Sequence, residues 1–283
     1  MKVVIPAAGL GLRFLPATKS QPKEMLPVVD RPIIQYVVEE AVASGADDIL
    51  IVTGRSKRSI EDHFDVNPEL SKWAATPELR ALEEIGRAAG IHYVRQGEPR
   101  GLGDAIAHAR HHIGNEAFGV LLGDTINVCE PPLLRQLWDI HLEFGRSVVA
   151  VEPVATEKVS DYGIIEGKSV RPGLYQCERL LEKPKPEETA SRLGITGAYV
   201  FTPGIFDAIA ATKPGHGGEV QLTDAMAILA EREPVFASEF HGTRYDIGDR
   251  FLWLKTNLEF AARHPELRRQ LAPLLRRLSE QVE

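Results

Sequence analysis

Residues 2–13 read KVVIPAAGLGLR, in which a short apolar segment is followed at once by two glycines and a cation. The apolar, β-branched start is typical of a buried strand. Gly9 and Gly11 allow backbone conformations that turn N–H groups outward and let a ligand approach the chain closely. Arg13 and, further along, Lys23 add positive charge. A strand that leads into such a loop indicates a phosphate-binding edge of an α/β sheet.

Three interpretations of this loop compete. A Walker A loop needs a Lys-Ser/Thr pair after the second glycine, and the loop has none. A dinucleotide-binding loop needs glycine where Phe14 stands, and an acid after the second strand, where Thr53 and Gly54 stand instead. The third interpretation is a glycine-rich turn whose cations, Arg13 and Lys23, are solvated. The loop alone therefore indicates a polyphosphate ligand without deciding the matter.

Apolar segments and helical patterns alternate through the first half of the chain. The predicted elements, in order, are strand 2–6, helix 32–44, strand 48–53, helix 57–64, strand 92–95, helix 103–112, strand 118–122, helix 133–144 and strand 147–151. Most of these strands are nearly all apolar, as expected when helices cover both faces of a sheet. The sequence therefore predicts an α/β fold with a mixed, mainly parallel central sheet flanked by helices.

We expect one continuous domain over residues 1–283. Its first half, 1–150, carries a charged helical insertion near 68–90 that interrupts the alternation. The pattern of residues 151–248 is less regular, and an amphipathic helical tail follows over 249–283. No repeat or flexible linker divides the chain.

Bulk composition excludes several classes of protein. With 283 residues, 43% hydrophobic and 26% charged, the chain has an ordinary globular composition. Its formal net charge of −7 argues against a general nucleic-acid-binding protein. The N-terminus lacks the long apolar stretch of a signal peptide, and no segment reaches the roughly 18 apolar residues of a membrane span. We therefore expect a cytoplasmic protein with neither nucleic acid nor membrane as a partner.

Further motifs follow the first loop in a fixed order. They are GLGLRFLPATKSQPKEMLPVVDRPIIQYVVEE at 9–40, RQGEPRGLGDA at 95–105, LLGD at 121–124, VEPV at 151–154, YGII at 162–165, LEKPK at 181–185, GGEVQLTDAM at 217–226 and YDIG at 245–248. Together they resemble the bacterial UTP–glucose-1-phosphate uridylyltransferases, a family of sugar-nucleotide pyrophosphorylases. The resemblance covers nearly the whole chain.

This resemblance implies a Rossmann-like nucleotidyltransferase fold, Mg²⁺ as cofactor, and a homo-oligomer that is a dimer or a tetramer. The implied reaction joins UTP and glucose 1-phosphate to give UDP-glucose and pyrophosphate. At neutral pH a sugar phosphate is already mostly deprotonated, so an in-line attack on the α-phosphorus needs no general base. The enzyme must hold two polyanions together and stabilise the leaving pyrophosphate, which calls for cations, glycines and metal-binding acids.

Individual roles also follow from the resemblance. For the nucleotide, it implies backbone contacts from Ala8, Gly9 and Gly11, triphosphate-binding cations at Arg13 and Lys23, a substrate-binding position at Glu24, a residue that reads the pyrimidine edge at Gln96, and a closing loop at Gly101. For the metal, it implies Asp124 and Asp246. For the sugar phosphate, it implies a hydroxyl acceptor at Glu182, a cation at Lys183, and a pocket completed by Gly163, Gly197 and Glu219. The catalytic group consists of Arg13, Lys23, Asp124 and Lys183.

The assignment of Glu182 and Lys183 to the same ligand requires a particular backbone geometry. Neighbouring residues of a strand point to opposite faces, so Glu182 and Lys183 share one ligand only if the chain bends there.

The sequence also departs from the usual pattern of the family. Leu12 stands where threonine is usual, and Asp104 stands where histidine is common; we expect Asp104 to face solvent. The segment 123–125, Gly-Asp-Thr, resembles the related thymidylyltransferases, so dTTP is the close alternative to UTP. A non-catalytic sugar-nucleotide sensor is the alternative from another class, and an NAD-dependent oxidoreductase is disfavoured by the loop.

Three histidines, His108, His111 and His112, share one predicted helix face. Because no carboxylate or cysteine nearby in the sequence completes a metal site, we interpret them as a solvated basic face.

Overall fold

The first half of the chain forms strands and helices in the predicted alternation. The structure is a computed structural model that describes residues 1–73 and 76–282. Its elements up to residue 153 are β1 (Lys2–Ala7), β2 (Pro27–Val28), β3 (Arg31–Pro32), α1 (Ile33–Ala43), β4 (Asp48–Thr53), α2 (Arg58–Phe64), α3 (Pro68–Trp73), α4 (Pro77–Ala88), β5 (Gly90–Arg95), α5 (Leu102–Ala107), α6 (Arg110–Ile113), β6 (Phe118–Leu121), β7 (Thr125–Val128), α7 (Leu133–Phe144) and β8 (Ser147–Pro153). The single helix predicted at 103–112 is divided into α5 and α6.

The second half adds longer strands and four helices among the described residues. They are β9 (Gly163–Arg171), β10 (Leu174–Glu182), β11 (Leu193–Phe201), α8 (Gly204–Ala211), α9 (Leu222–Ala230), β12 (Val235–Glu239), β13 (Thr243–Asp246), α10 (Arg250–Arg263) and α11 (Leu267–Val282). The sequence did not predict α8, which buries Ile205, Phe206 and Ile209.

Nine strands form one sheet in the order β5–β4–β1–β6–β11–β8–β12–β10–β9. Within residues 1–73 and 76–282 it has four parallel pairings and five antiparallel ones. The prediction of a mixed sheet is confirmed, and the prediction of a mainly parallel one is wrong. β11 runs antiparallel to β6, β8 and β9, which accounts for three of the five pairings. The short connection at 172–173 accounts for the β9–β10 pairing, because strands joined by two residues pair only antiparallel. The far end of the sheet curls until β9 also pairs with β11.

Helices cover both faces of the sheet. Along β1, Val4 belongs to the core under α5, α8 and α9, whereas Val3 and Ile5 belong to the core under α1 and α7. This alternation follows from the two-residue period of a strand. All three side chains are fully buried, so β1 lies at the centre of the fold.

Two segments lie outside this core. The helix α4, in the region predicted as an insertion, buries none of its residues, and residues 74–75 of that region lie outside the described part of the chain. In the tail, α10 packs Trp253 and Phe260 beside Phe14 and Leu26. No helix in the described part of the chain combines the length and apolar character that crossing a membrane requires.

Candidate active site

A cavity of about 650 Å³ opens where β1, β5 and β6 end. These three strands run in the same direction, so their carboxyl ends meet at one edge of the sheet. Ligands of open α/β sheets bind at this edge. The cavity therefore lies where the loop at 8–13 predicts a phosphate site.

Most of the site residues implied by the sequence line this cavity. They are Ala8, Gly9, Gly11, Arg13, Lys23, Glu24, Gln96, Gly101, Asp124, Lys183, Glu219 and Asp246. Gly163, Glu182 and Gly197 are not among the lining residues. The cavity thus collects side chains from both halves of the chain.

The glycine-rich loop is folded against Lys23. Gly11 has φ of +65°, a left-handed conformation that favours glycine. A side chain at Gly9 would begin 3.7 Å from Lys23 Cε, so the lysine passes directly beside the loop. Thr18 Oγ1 donates to the carbonyl of Gly11 at 2.7 Å and fixes the turn. The loop and the first cation therefore form one unit.

The two acids predicted to bind metal are brought together by a small antiparallel pairing. β13 pairs with β7 so that Asp246 lies opposite Thr125. The N–H of Ile247 donates to the carbonyl of Asp124 at 3.1 Å. Sequence patterns missed β7, whose four residues follow the acid directly. This pairing is what places Asp124 and Asp246 at the same wall of the cavity.

Lys23 lies against the first of these acids. Its Nζ is 2.5 Å from Asp124 Oδ2, and both side chains remain 22% exposed. Burial, the largest single effect, lowers the pKa of Lys23, but the carboxylates of Asp124, Glu24 and Asp246 together outweigh it, so its pKa is raised overall. The ammonium therefore stays charged at neutral pH and is available to a phosphate in the cavity.

Arg244 is a site residue that the sequence reasoning missed. Its side chain is 7% exposed. Its guanidinium donates to Asp246 Oδ2 at 3.2 Å, to Glu152 Oε1 at 3.0 Å and to the Tyr162 hydroxyl at 3.2 Å. Burial raises the pKa of Asp246, and Arg244 partly offsets that rise. The available signal was its position directly before the motif at 245–248, two residues ahead of Asp246.

The bend required at Lys183 is present. β10 ends at Glu182, and Lys183 has φ of +47°, so the chain leaves the strand direction there. The backbone N–H of Lys183 donates to the carbonyl of Tyr162 at 3.1 Å. Its Nζ lies 3.6 Å from Glu182 Oε1, which puts both side chains in one region. The chain therefore bends between Glu182 and Lys183, as the binding of one ligand by both side chains requires.

Gly163 and Gly197 lie next to the cavity and allow close packing there. Gly163 pairs with Glu182 across β9 and β10. Gly197 has φ of +91° at an irregularity of β11, and a side chain there would begin 2.6 Å from Leu122 Cδ1. The carbonyl of Gly197 accepts from the N–H of Leu122 at 3.1 Å. In this structure both glycines support the walls that carry Asp124 and Lys183.

Comparison with known proteins agrees with this geometry. The family described as nucleotidyl transferase matches residues 2–259. The UTP–glucose-1-phosphate uridylyltransferase YngB of Bacillus subtilis (strain 168) is 50% identical over 97% of this chain and 94% of its own. A UTP–glucose-1-phosphate uridylyltransferase of Streptococcus pyogenes is 47% identical over 100% of this chain and 95% of its own.

The chain belongs to the UTP–glucose-1-phosphate uridylyltransferases of the nucleotidyltransferase family. A crystal structure of UDP-glucose pyrophosphorylase complexed with UDP-glucose shares the fold, with a TM-score of 0.88 and 41% identity over 93% of this chain and 99% of the other.

In this nucleotidyltransferase, Glu24 is buried and forms an ion pair that the sequence did not indicate. Its side chain is 1% exposed, and both carboxylate oxygens accept from Lys57 Nζ, at 2.9 and 2.7 Å. Burial raises the pKa of Glu24, and Lys57 works against that rise. Because the carboxylate is already paired with Lys57, its role in this structure is to anchor the short turn that carries Lys23. Lys57 stands 33 residues from Glu24 and was not predicted.

Two further expectations about this nucleotidyltransferase are wrong. Asp104 does not simply face solvent, because its Oδ2 accepts from Gln96 Nε2 at 2.6 Å. His112 is not part of a solvated face, since its Nε2 lies 2.7 Å from Asp48 Oδ1. In both cases the partner comes from another element, which sequence spacing does not reveal. Leu12, the departure in the loop, is exposed at the cavity.

Proposed function

We propose that this chain catalyses the reaction of UTP with glucose 1-phosphate to give UDP-glucose and pyrophosphate. The observation that carries the proposal is one cavity lined by Arg13, Lys23, Asp124 and Lys183 in a member of this family. The names of the full-length relatives support the uridylyl substrate over dTTP. A sensor without activity would have no need to keep all four side chains around one cavity.

The chemistry assigns one task to each charged group. Arg13 and Lys23, beside the glycine-rich loop, bind triphosphate oxygens and stabilise the charge on departing pyrophosphate. Lys183, from the other half of the chain, binds the sugar phosphate. The attacking oxygen is already deprotonated, so orientation of the two polyanions is the main contribution of the protein.

We propose that Asp124 and Asp246 hold Mg²⁺. Two carboxylates at one wall suit this ion, which takes oxygen ligands and keeps several from water and substrate. Lys23 Nζ lies 2.5 Å from Asp124 Oδ2, so the Asp124 carboxylate already pairs with a cation at this position. When bound, Mg²⁺ supplies positive charge to the phosphate oxygens. Arg244 holds Asp246 in place from the buried side.

The proposal extends to the organisation of the chain. Residues 1–150 act as a Rossmann-like nucleotide-binding half, which the strand order β5–β4–β1–β6 supports, and residues 151–248 act as the sugar-phosphate half. A homo-oligomer, dimer or tetramer, stays a prediction. Light scattering of the purified chain measures its stoichiometry.

A matrix of initial rates tests the proposed reaction. UTP, dTTP, CTP and ATP are each combined with several hexose 1-phosphates, with and without Mg²⁺, and pyrophosphate release is measured. We expect the highest kcat/KM for UTP with glucose 1-phosphate, and no release from UTP alone. Release without a sugar phosphate, or higher efficiency with dTTP, would contradict the proposal.

The metal assignment has its own variant. Replacing Asp124 by Asn should lower Mg²⁺-dependent turnover on the order of a hundredfold or more, because a metal ligand and the partner of Lys23 are lost together. Asp139→Asn is the matched control, since this exposed acid of α7 pairs only with Arg135 among the contacts described. Near-normal activity of Asp124→Asn would reject the acid as a ligand.

A further inference from the structure

Gln96 enters the cavity directly after β5. Its side chain is 4% exposed and lines the cavity. Its backbone N–H donates to the carbonyl of Thr53 at 2.8 Å, which fixes the residue against the end of β4. The side-chain Nε2 donates to Asp104 Oδ2 at 2.6 Å and lies 3.3 Å from the carbonyl oxygen of Gly101, which accepts a second bond. The amide nitrogen is thus held on two sides.

Both partners of that nitrogen are acceptors. A carboxylate and a backbone carbonyl carry lone pairs and no proton to give. If the Gln96 amide were turned around, its Oε1 would face two other oxygens, and two N–H bonds would be lost. The amide therefore has one favourable orientation. Within residues 1–73 and 76–282, no hydrogen bond to Oε1 is found, so this oxygen is the acceptor left for a ligand in the cavity.

The two acceptors are themselves held in position. The N–H of Val220 donates to the carbonyl of Arg100 at 2.8 Å, and the N–H of Gly103 donates to the carbonyl of Val220 at 2.9 Å. These bonds clamp the loop on both sides of Gly101. Gly101 has φ of +107°, and a side chain there would begin 2.8 Å from the oxygen of Val220. Asp104 follows in the first turn of α5, where the helix dipole favours a negative charge.

We propose that Asp104 is a positioning residue that selects the base of the nucleotide. By holding the Gln96 amide, it presents Oε1 as an acceptor at the cavity. The ring N3–H of uracil or thymine donates to such an oxygen, whereas N3 of cytosine has no hydrogen and turns a lone pair toward it. The inference rests on the proposed function and deepens it, since it names a residue that excludes CTP.

Asp104→Ala is the direct test. Without the carboxylate, only the 3.3 Å bond to the carbonyl of Gly101 holds the Gln96 amide. The amide then turns more easily and offers Nε2 to the base, so CTP is accepted more readily. We expect the ratio of kcat/KM for UTP to that for CTP to fall about tenfold, the usual effect of losing one oriented hydrogen bond to a charged partner. The ratio for UTP to dTTP should stay unchanged, because both bases carry N3–H. A UTP-to-CTP ratio equal to that of wild type would overturn the proposal.

Two more variants test whether the effect of Asp104 comes from orienting the Gln96 amide or only from its negative charge. Asp104→Asn keeps an acceptor oxygen for Nε2, so its UTP-to-CTP ratio should stay closer to wild type than that of Asp104→Ala. An equal fall in both variants would overturn the proposal. Glu98→Gln removes a charge from the same loop but pairs with Arg100 and not with Gln96, so it should leave the ratio unchanged. A fall in Glu98→Gln as large as in Asp104→Ala would also overturn it.

Failure of this inference is distinguishable from failure of the proposed function. If the wild-type chain forms no UDP-glucose from UTP, the proposed function is wrong. If wild type is active and all variants keep its UTP-to-CTP ratio, only the role of Asp104 is wrong. Circular dichroism of each variant confirms that the ratios compare folded proteins.

Discussion

At the scale of single residues, Arg244 links the metal-binding wall to the rest of the fold. It donates at once to Asp246, to Glu152 at the end of β8, and to the Tyr162 hydroxyl. Three partners on one guanidinium need a planar group with several fixed N–H directions. The side chain is almost fully buried, so these bonds are poorly replaced by water. Arg244 therefore orients Asp246 and is not itself placed against the substrate.

Arg244→Lys should weaken the use of Mg²⁺. Lysine keeps the charge but cannot reach Glu152 and Asp246 with the same geometry. Loss of a residue that orients a metal ligand typically lowers metal affinity or activity roughly 10- to 100-fold. We expect the Mg²⁺ concentration that gives half-maximal rate to rise by about tenfold or more. The measurement is a Mg²⁺ titration at saturating UTP and glucose 1-phosphate.

A second arginine serves as the control for that experiment. Arg179 on β10 pairs with Glu166 at 2.8 Å and is exposed, so Arg179→Lys should leave the Mg²⁺ titration unchanged. An unaltered titration in Arg244→Lys would show that Asp246 needs no such support.

Individual contacts at this scale were only partly predictable. The sequence identified Lys23, Asp124 and Lys183 as members of one cavity because the ordered motifs resemble a family. It did not reveal that Glu24 pairs with Lys57, or that Asp104 holds Gln96. Both pairs depend on how separate elements pack, and one sequence carries no signal for such packing.

At the scale of elements, Glu40 joins three of them. It lies on α1, where Oε2 accepts from Asn127 Nδ2 of β7 at 2.9 Å and Oε1 accepts from the N–H of Leu134 in the first turn of α7 at 3.3 Å. The side chain is buried, and burial raises its pKa to about 7 against an ordinary value of 4.5. A single carboxyl thus connects α1 and α7 on one face of the sheet, near the strand that follows Asp124.

Glu40→Gln should remove a pH dependence of stability. Because the folded pKa is higher than the unfolded one, the stability from this carboxyl is fully present below pH 4.5 and is lost as pH rises through 7. Between pH 5 and 8, the free energy of unfolding of wild type should fall by about 2 kcal/mol relative to that of Glu40→Gln. Urea unfolding at several pH values measures this difference.

The neighbouring acid on α1 gives a matched comparison. Glu39 pairs with Arg31 and Gln35 near the surface, so Glu39→Gln should follow the wild-type pH profile. If Glu40→Gln and wild type keep a constant difference from pH 5 to 8, the carboxyl ionises in the fold as it does when unfolded.

Element types were easier to predict than strand directions. Apolar strands of the first half, such as β1 and β4, are visible because both faces are buried. The antiparallel course of β9 to β11 follows from connections and register, which local composition does not encode. β7 and β13 are only four residues long, so no periodicity marks them, although they place the two acids.

At the scale of the whole molecule, the cavity depends on both halves of the chain. Arg13 and Lys23 come from the loop after β1, whereas Lys183 and Glu219 come from beyond residue 151. The sequence predicted this division through the order of its motifs. The curled end of the sheet, where β9 meets β11, brings Lys183 toward the edge that carries Asp124. That closure is a property of the complete sheet and was not foreseen.

Ligand-linked stability tests whether the two halves have separate tasks. A ligand that binds only the folded state at 100 times its Kd raises the free energy of unfolding by about 2.7 kcal/mol. UTP carries the pyrophosphate that Arg13 is proposed to bind, and UDP-glucose carries the sugar phosphate assigned to Lys183. We expect Arg13→Ala to lose most of the stabilisation by UTP while keeping that by UDP-glucose. Lys183→Ala should lose stabilisation by UDP-glucose and keep that by UTP.

Thermal unfolding with Mg²⁺ and each ligand measures this crossed pattern. Lys185→Ala is the control, because Lys185 is an exposed lysine close in sequence that does not line the cavity. It should respond to both ligands as wild type does. If either variant lost both responses equally, Arg13 and Lys183 would act on the same part of the ligand. The division of the cavity between a nucleotide half and a sugar-phosphate half would then be wrong, even if the overall reaction is the proposed one.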